Sequence, residues 1–357
     1  MWKDTEVTRR LGLAAPIVQG PFGSGLSAVD LVVAVSESGG LGSFGVHHLD
    51  GAGIRQVAAD IRARTRRPFA LNLWMPLGDS DEPRLPQARW DAACELLRPF
   101  FVELGVTMPA RPARFGPRFE DQLETVLEIA PPVFSFVFGV PDSRALERCR
   151  SAGILTVGAA TTVAEARLLD EAGVDFIVAT GFEAGGHRVS FLTEPEDCLT
   201  GTLALVPQVV DAVKAPVIAA GGMADGRGIA AALRLGASAA QIGTAFLACE
   251  ESNAAPLHRA KLFSADARHT TLTRAFTGRL ARSMRNEFIV AMHGREAAFA
   301  PYPVHAWLTA QLRGAALAAG RTDLISLWSG QGAPLLKHRR ARELFESLLR
   351  QTDAAMG

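Results

Sequence analysis

Three short runs in this 357-residue chain hold the residues best suited to chemistry. They are Thr180-Gly181-Phe182-Glu183-Ala184-Gly185-Gly186-His187, Ala220-Gly221-Gly222-Met223-Ala224-Asp225-Gly226, and Gln241-Ile242-Gly243-Thr244-Ala245. Glycine lets the backbone come close to a ligand and adopt positive φ, so several N–H groups can converge on one anion. A helix start just beyond adds the positive end of its dipole, and Thr244 adds a hydroxyl. That is phosphate-binding chemistry. A strand-to-helix turn also needs glycine for packing alone, which explains any one run but is a poorer account of three in succession. His187 closes the first run, and an imidazole that changes charge near neutral pH suits a general base or an anion contact. The plainer reading is a histidine that only closes its loop on a backbone carbonyl. His47 and His48, adjacent and diverging, read as loop polar residues. Glu183 reads as a loop-positioning group, Asp225 as a helix N-cap before Gly226 and Arg227, and Arg188 as an anion contact or a surface arginine.

Those turns need elements to hold them. Apolar runs of strand length occur at 16–19, 41–44, 69–74, 133–138, 154–157, 175–179, 216–219 and 239–242. Helical pattern falls at 28–38, 50–65, 119–129, 162–172, 202–213 and 226–235. Continuous apolar strands indicate burial on both faces, as in a parallel sheet. Eight such units over about 250 residues predict an α/β fold of the (β/α)8 TIM-barrel type, whose sites lie at the C-terminal ends of the strands. An open Rossmann sheet fits less well, because the first turn is Gln19-Gly20-Pro21-Phe22-Gly23 rather than GxGxxG. The proline-rich stretch at about 75–117, with helical pieces around Trp90 to Leu104, reads as an insertion after strand three. From about Ala254 to Trp328 the sequence is alanine-rich and helical, with no strand pattern, and reads as a C-terminal cap near the barrel mouth. Lys337 to Arg350, with Arg340, Glu343 and Glu346 at helical spacing, predicts an exposed helix with a solvated basic cluster. The expected division is a barrel over 1–253 and a mainly helical cap and C-terminal segment over 254–357.

Composition narrows the function classes. Lys+Arg and Asp+Glu balance at 37 each, which leaves no electrostatic case for nucleic acid. Cys94, Cys149, Cys198 and Cys249 are widely spaced without a CxxC pair, so neither a zinc site nor a disulfide framework is expected. The first residues, Met1 to Leu13, are charged and unlike a signal peptide. No stretch approaches the roughly 20 apolar residues of a membrane span. A soluble cytoplasmic protein without a metal is the expectation.

Taken together, Gln19-Gly20-Pro21, Asn72, the Gly181 to Arg188 run, Ala219-Ala220-Gly221-Gly222, Gln241-Ile242-Gly243-Thr244 and Trp328-Ser329-Gly330-Gln331 resemble the nitronate monooxygenases, formerly called 2-nitropropane dioxygenases. The resemblance runs from Pro16 to about Gln331, and Gly-Phe-Glu-Ala-Gly-Gly-His-Arg is its most specific piece. It implies non-covalent FMN. By that similarity the backbone of Gly20, Pro21 and Phe22 and the side chain of Asn72 face the isoalloxazine. Gly185, Gly186, Gly221, Gly222, Gly243 and Thr244 surround the phosphate, Gly181 belongs to the same cofactor-binding set, and Gln241 and Gln331 add polar contacts. The resemblance implies that His187 takes the α-proton of a neutral nitroalkane, or hydrogen-bonds a substrate that is already a nitronate. The implied activity is oxidation of alkyl nitronates with O2 to a carbonyl compound and nitrite.

The chain also departs from that pattern. Where the family commonly has Ser-Phe-His-Phe-Gly, this chain reads Ser135-Phe136-Val137-Phe138-Gly139, and Val137 cannot hydrogen-bond a nitro group. Family members tend to place tyrosine and lysine from the cap over the flavin. Here Pro301 to Trp307 holds the one tyrosine, Tyr302, with His305 or Trp307 as substitutes. Val189 stands where glycine is usual. An intact flavin site is therefore expected beside an altered substrate site that involves Val137, Tyr302 and His305. Two rivals stay open: an NAD(P)H-dependent reductase of quinones or enoyl thioesters, and a flavin-binding protein without turnover. Exposed helices on such barrels often pair, so a homodimer is compatible with the sequence.

Overall fold

A computed structural model describes residues 2–76 and 85–357; residues 77–84, within the expected insertion, lie outside the described residues. The strands are β1 (Ile17–Gln19), β2 (Gly42–Gly45), β3 (Phe69–Trp74), β4 (Val133–Val137), β5 (Leu155–Ala160), β6 (Phe176–Thr180), β7 (Gly186–His187), β8 (Val217–Ala220), β9 (Ala239–Ile242), β10 (Thr270–Thr273) and β11 (Ala281–Met284). Eight of them form one parallel sheet in the order β1-β9-β8-β6-β5-β4-β3-β2. A parallel bridge between Val18 and Leu41 joins its two ends, so the sheet closes as a barrel.

Alternation along each strand sorts the side chains. Leu71, Leu73, Phe134, Phe136, Ile177 and Ala219 face out, onto Ile54, Ile61, Val126, Leu169 and Val206 of the surrounding helices. Ala70, Val133, Val157, Val178, Ile218 and Ala239 face in, near the N-terminal ends of the strands. That end is closed by the helix Glu6–Leu11, whose Val7 and Leu11 pack onto the inward residues. The sequence pattern did not show this plug.

The region after β9 is mainly helical, but it is not strand-free. β10 and β11 form a three-stranded antiparallel sheet with β7, which registers Ala281 against His187. The expectation of no strand there is corrected: Thr270 to Thr273 is half-buried along its length and Ala281 to Met284 is buried along its length, polar Arg282 and Ser283 included, so neither shows an alternation of apolar and polar residues. Within the insertion, the helix Gln87–Glu103 packs Trp90, Leu97 and Phe101 onto Phe276, Phe288 and Leu308, so insertion and cap share one hydrophobic core. The last helix, Ala341–Met356, is also corrected from an exposed helix. Its Ala341, Leu344, Phe345 and Leu348 are buried against Ile17, Leu31 and Ile229, and only its other face is solvated. Among the described residues no helix is long and apolar enough to cross a membrane.

Candidate active site

The inward alternation continues up the strands. Asn72 and Trp74 of β3, Val137 of β4, Ala159 of β5, Thr180 of β6, Ala220 of β8 and Gln241 of β9 reach a cleft at the C-terminal mouth, with about 1200 Å³ of unfilled space partly open to solvent. Small residues at 159, 180 and 220 leave that room. The Asn72 amide donates to Ser135 Oγ at 3.0 Å. The Gln241 side chain has no protein partner among the described residues and lines the cleft.

Gly20, Pro21 and Phe22 line the cleft from the β1 turn. Two buried groups fix that turn. Gln19 donates to the Gly20 carbonyl and accepts from Ser43 N–H at 2.9 Å. Ser27 Oγ accepts from Phe22 N–H at 3.1 Å and from Gly45 N–H at 3.0 Å.

The glycine turns meet at the other wall. Gly221 and Gly222 have φ of 114° and 70°, which L side chains rarely adopt. A Cβ at Gly332 would come within 2.5 Å of the Gly222 carbonyl oxygen, and one at Gly330 within 3.0 Å of Gly185 N. The first two turns and the Trp328 to Gly332 segment are thus in backbone contact. Thr244 Oγ1 accepts from Gly330 N–H at 2.9 Å, which leaves its own proton to donate. Gly222, Gly243 and Thr244 N–H groups have no protein acceptor among the described residues. Glu183 accepts from Thr202 N–H and Oγ1 and ties the first turn to the helix Thr202–Ala212. Asp225 accepts from Arg227 N–H and caps the helix Gly226–Arg234.

Of the residues singled out in the sequence, Gly20, Pro21, Phe22, Asn72, Val137, Gly185, Gly186, His187, Gly221, Gly222, Gln241, Gly243 and Thr244 line this one cleft. Four do not. Gly181 lies behind the wall, where a Cβ would collide with Thr202 Oγ1, so its smallness serves packing. The Gln331 side chain is exposed, and its N–H donates to the Glu183 carbonyl at 2.9 Å. His305 is fully buried in the cap core, stacked on Phe299 at 4.7 Å, with Nε2 against the Ala275 carbonyl. Tyr302 stands just outside the lining, its ring 5.7 Å from Trp74 and 6.0 Å from His187. Arg188 is neither of the things expected of it. It is fully buried and donates to the carbonyls of Gly181, Thr180 and Cys198, bracing the first turn from inside.

Sequence reasoning missed Trp74, Met223, Leu247 and Gly332 in the lining, and gave Trp328 no role there. For Trp74 a signal existed: it follows Asn72 by two residues on the same strand.

β7 places His187 at the cleft, with its ring 5.0 Å from Trp74 and 5.5 Å from Trp328. Nε2 is 3.0 Å from Thr277 Oγ1. That oxygen lies 2.9 Å from the Arg279 carbonyl, and two oxygens so close need a proton between them. The Thr277 hydroxyl therefore donates to Arg279, and His187 donates from Nε2–H, leaving an unprotonated Nδ1. Burial, with Arg279 nearby, pushes the His187 pKa down to about 3. His187 is a neutral imidazole near pH 7. His47, stacked flat on Trp74, is held well below the usual histidine range by burial and by His48 and His187.

Comparison with known proteins gives one answer. The family model for nitronate monooxygenase matches residues 6–351. A probable nitronate monooxygenase of Staphylococcus haemolyticus is 36% identical over all of this chain and 99% of its own length. Among solved structures, a nitroalkane oxidase from Streptomyces ansochromogenes is 38% identical, covers 98% of both chains and superposes with a TM-score of 0.89. FabK from Thermotoga maritima is 28% identical with a TM-score of 0.75, over 98% of this chain and 96% of its own. With a family match over nearly its whole length and this barrel-mouth cleft, the chain belongs to the nitronate monooxygenase family and is an oxidoreductase.

Proposed function

We propose that this protein oxidises alkyl nitronates with O2, using non-covalent FMN, to a carbonyl compound and nitrite. The observation that carries this reading is the glycine cradle with unpaired N–H groups at 222, 243 and 244, joined in one cleft to Asn72, Gln241 and His187. The cradle suits a phosphate, since unpaired N–H groups favour a dianion. At Gly243 a Cβ would meet nothing within 4 Å, so any side chain there would occupy the cleft itself. The polar end, with Asn72 and Gln241, suits the heteroatom edge of a flavin. FMN supplies the redox chemistry and the contact with O2 when bound.

The chain's own residues orient and handle protons. His187 can accept a proton at Nδ1, because it is neutral near pH 7. A pKa of about 3 makes it a weak base, and general-base efficiency falls as the pKa moves away from the working pH. A preformed nitronate needs no proton removed, so it is favoured over the neutral nitroalkane. With Nε2–H given to Thr277, His187 has no donor left for the nitronate oxygens.

The test begins with flavin released from purified protein by heat and identified by chromatography; FAD or no flavin would sink the cofactor assignment. The holoenzyme is then mixed anaerobically with ethyl nitronate, propyl-1-nitronate, NADH or NADPH. Loss of flavin absorbance with the nitronates, and nitrite on admission of air, is the expected result. Reduction by a nicotinamide alone would instead favour a reductase. Full flavin content with no reduction by any donor would mean a binding protein without turnover.

A further inference from the structure

A nitronate carries its charge on two oxygens, and the cleft must offer them a donor. Val137 has none, and His187 has spent its own on Thr277. Arg279 is turned away: its guanidinium sits 4.4 Å over the Phe138 ring and donates to the Ser190 carbonyl. Trp74 is placed differently. It ends β3 in register opposite Val137, two residues beyond Asn72, and so faces the cleft.

The indole is also held still. His47 stacks on it with centroids 3.8 Å apart and planes 8° apart. His187 and Phe138 meet it edge-on at 5.0 and 5.1 Å. Gly23 clears its rim, since a Cβ there would lie 2.8 Å from Cζ2. Indole Nε1–H can only donate, and among the described residues it has no acceptor. A fixed donor needs no reordering to bind an anion, which keeps the entropic cost of binding low.

Resting on the nitronate reading above, we infer that Trp74 is the substrate-recognition residue of this site, donating Nε1–H to the anionic nitro head of a short-chain nitronate that lies along Val137. His47 acts through Trp74 as a positioning residue, by stacking. The walls formed by Trp74 and Trp328 restrict the carbon chain, so the preferred substrates are short.

The test uses FMN-loaded wild type, Trp74→Phe and Trp74→His, with flavin content and circular dichroism checked first. Phenylalanine keeps a ring against His47 and removes the donor; histidine returns an N–H. Sodium nitrate, a planar anion with the same two-oxygen edge, is titrated while flavin absorbance is followed. Losing a hydrogen bond to a charged group corresponds to roughly tenfold to a hundredfold. The expected result is a nitrate Kd raised by that factor in Trp74→Phe and partly recovered in Trp74→His. The kcat/KM for ethyl nitronate should fall in parallel, mainly through KM. Equal nitrate and nitronate binding by wild type and Trp74→Phe at equal flavin content overturns the assignment, as does wild type that binds no nitrate. If Trp74→Phe loses its flavin, the comparison of Trp74→His with wild type decides: near-wild-type affinity supports the donor role, and loss overturns it. Wild type that turns over no nitronate yet binds nitrate through Trp74 would defeat the proposed activity and overturn the nitronate assignment, while leaving Trp74 as the cleft's anion donor.

Discussion

At the scale of single residues, a histidine held neutral responds to pH in a definite way. Its folded pKa is depressed, so His187 takes up a proton only as pH falls toward 3 and keeps the same charge above about pH 5. The kcat/KM on a neutral nitroalkane, corrected for substrate ionisation, should therefore be flat from about pH 5 to 8, without the rise expected of an ordinary histidine. A midpoint near 6.5, the ordinary value, would show that bound ligands cancel the effect of burial and Arg279. His187→Asn should cost about 10²-fold or less on the neutral compound, the low end for a general base, because the lone pair it removes belongs to a weak one. On the preformed nitronate the loss should stay under about tenfold, since no donor is removed from the substrate. Steady-state kinetics on a matched pair of substrates measures both. Residue types told only part of this. His187 was legible because its glycine run is distinctive, whereas the Thr277 contact that sets its tautomer comes from ninety positions away. His305 misled for the same reason: nothing local distinguishes a histidine at a cleft from one stacked inside a cap.

At the scale of elements, the turns after β6, β8 and β9 hold the cleft together, and two substitutions separate their roles. Gly243 has a negative φ and open space beyond its Cα. Gly243→Leu should therefore fold with a near-unchanged Tm and emerge colourless, because the side chain enters the cleft. Arg188→Met should do the reverse. It leaves three carbonyls without their donor, at about 1–3 kcal/mol each, so denaturant unfolding should show a loss of at least about 3 kcal/mol. All eight barrel strands were visible in the sequence, since strands buried on both faces are apolar throughout. The helix Ser143–Ser151 between β4 and β5 was passed over, because Arg144, Glu147, Arg148 and Arg150 mask a narrow buried stripe of Ala145, Leu146 and Cys149. β10 and β11 were invisible because Thr-Thr-Leu-Thr and Ala-Arg-Ser-Met carry no period-two pattern.

At the scale of the molecule, the barrel is sealed below by the Glu6–Leu11 helix and clasped at the side by Ala341–Met356. The second contact is part of the core, with Gln351 accepting from Gly226 N–H at 2.9 Å. Phe345→Ala should cost about 3–5 kcal/mol by calorimetry or denaturant titration; a near-neutral result would restore the exposed helix that its charge pattern implied. Above, the cap's sheet reaches the barrel mouth through β7. His187 is itself an edge of the cap's sheet, hydrogen-bonded through the Ala281 register and through Thr277. The imidazole at the cleft and the cap's sheet are therefore coupled. Arg188, the next residue, is pinned to the Thr180 and Gly181 carbonyls, so the imidazole is tied to barrel and cap at once, and a displacement of either would strain the rung that holds it.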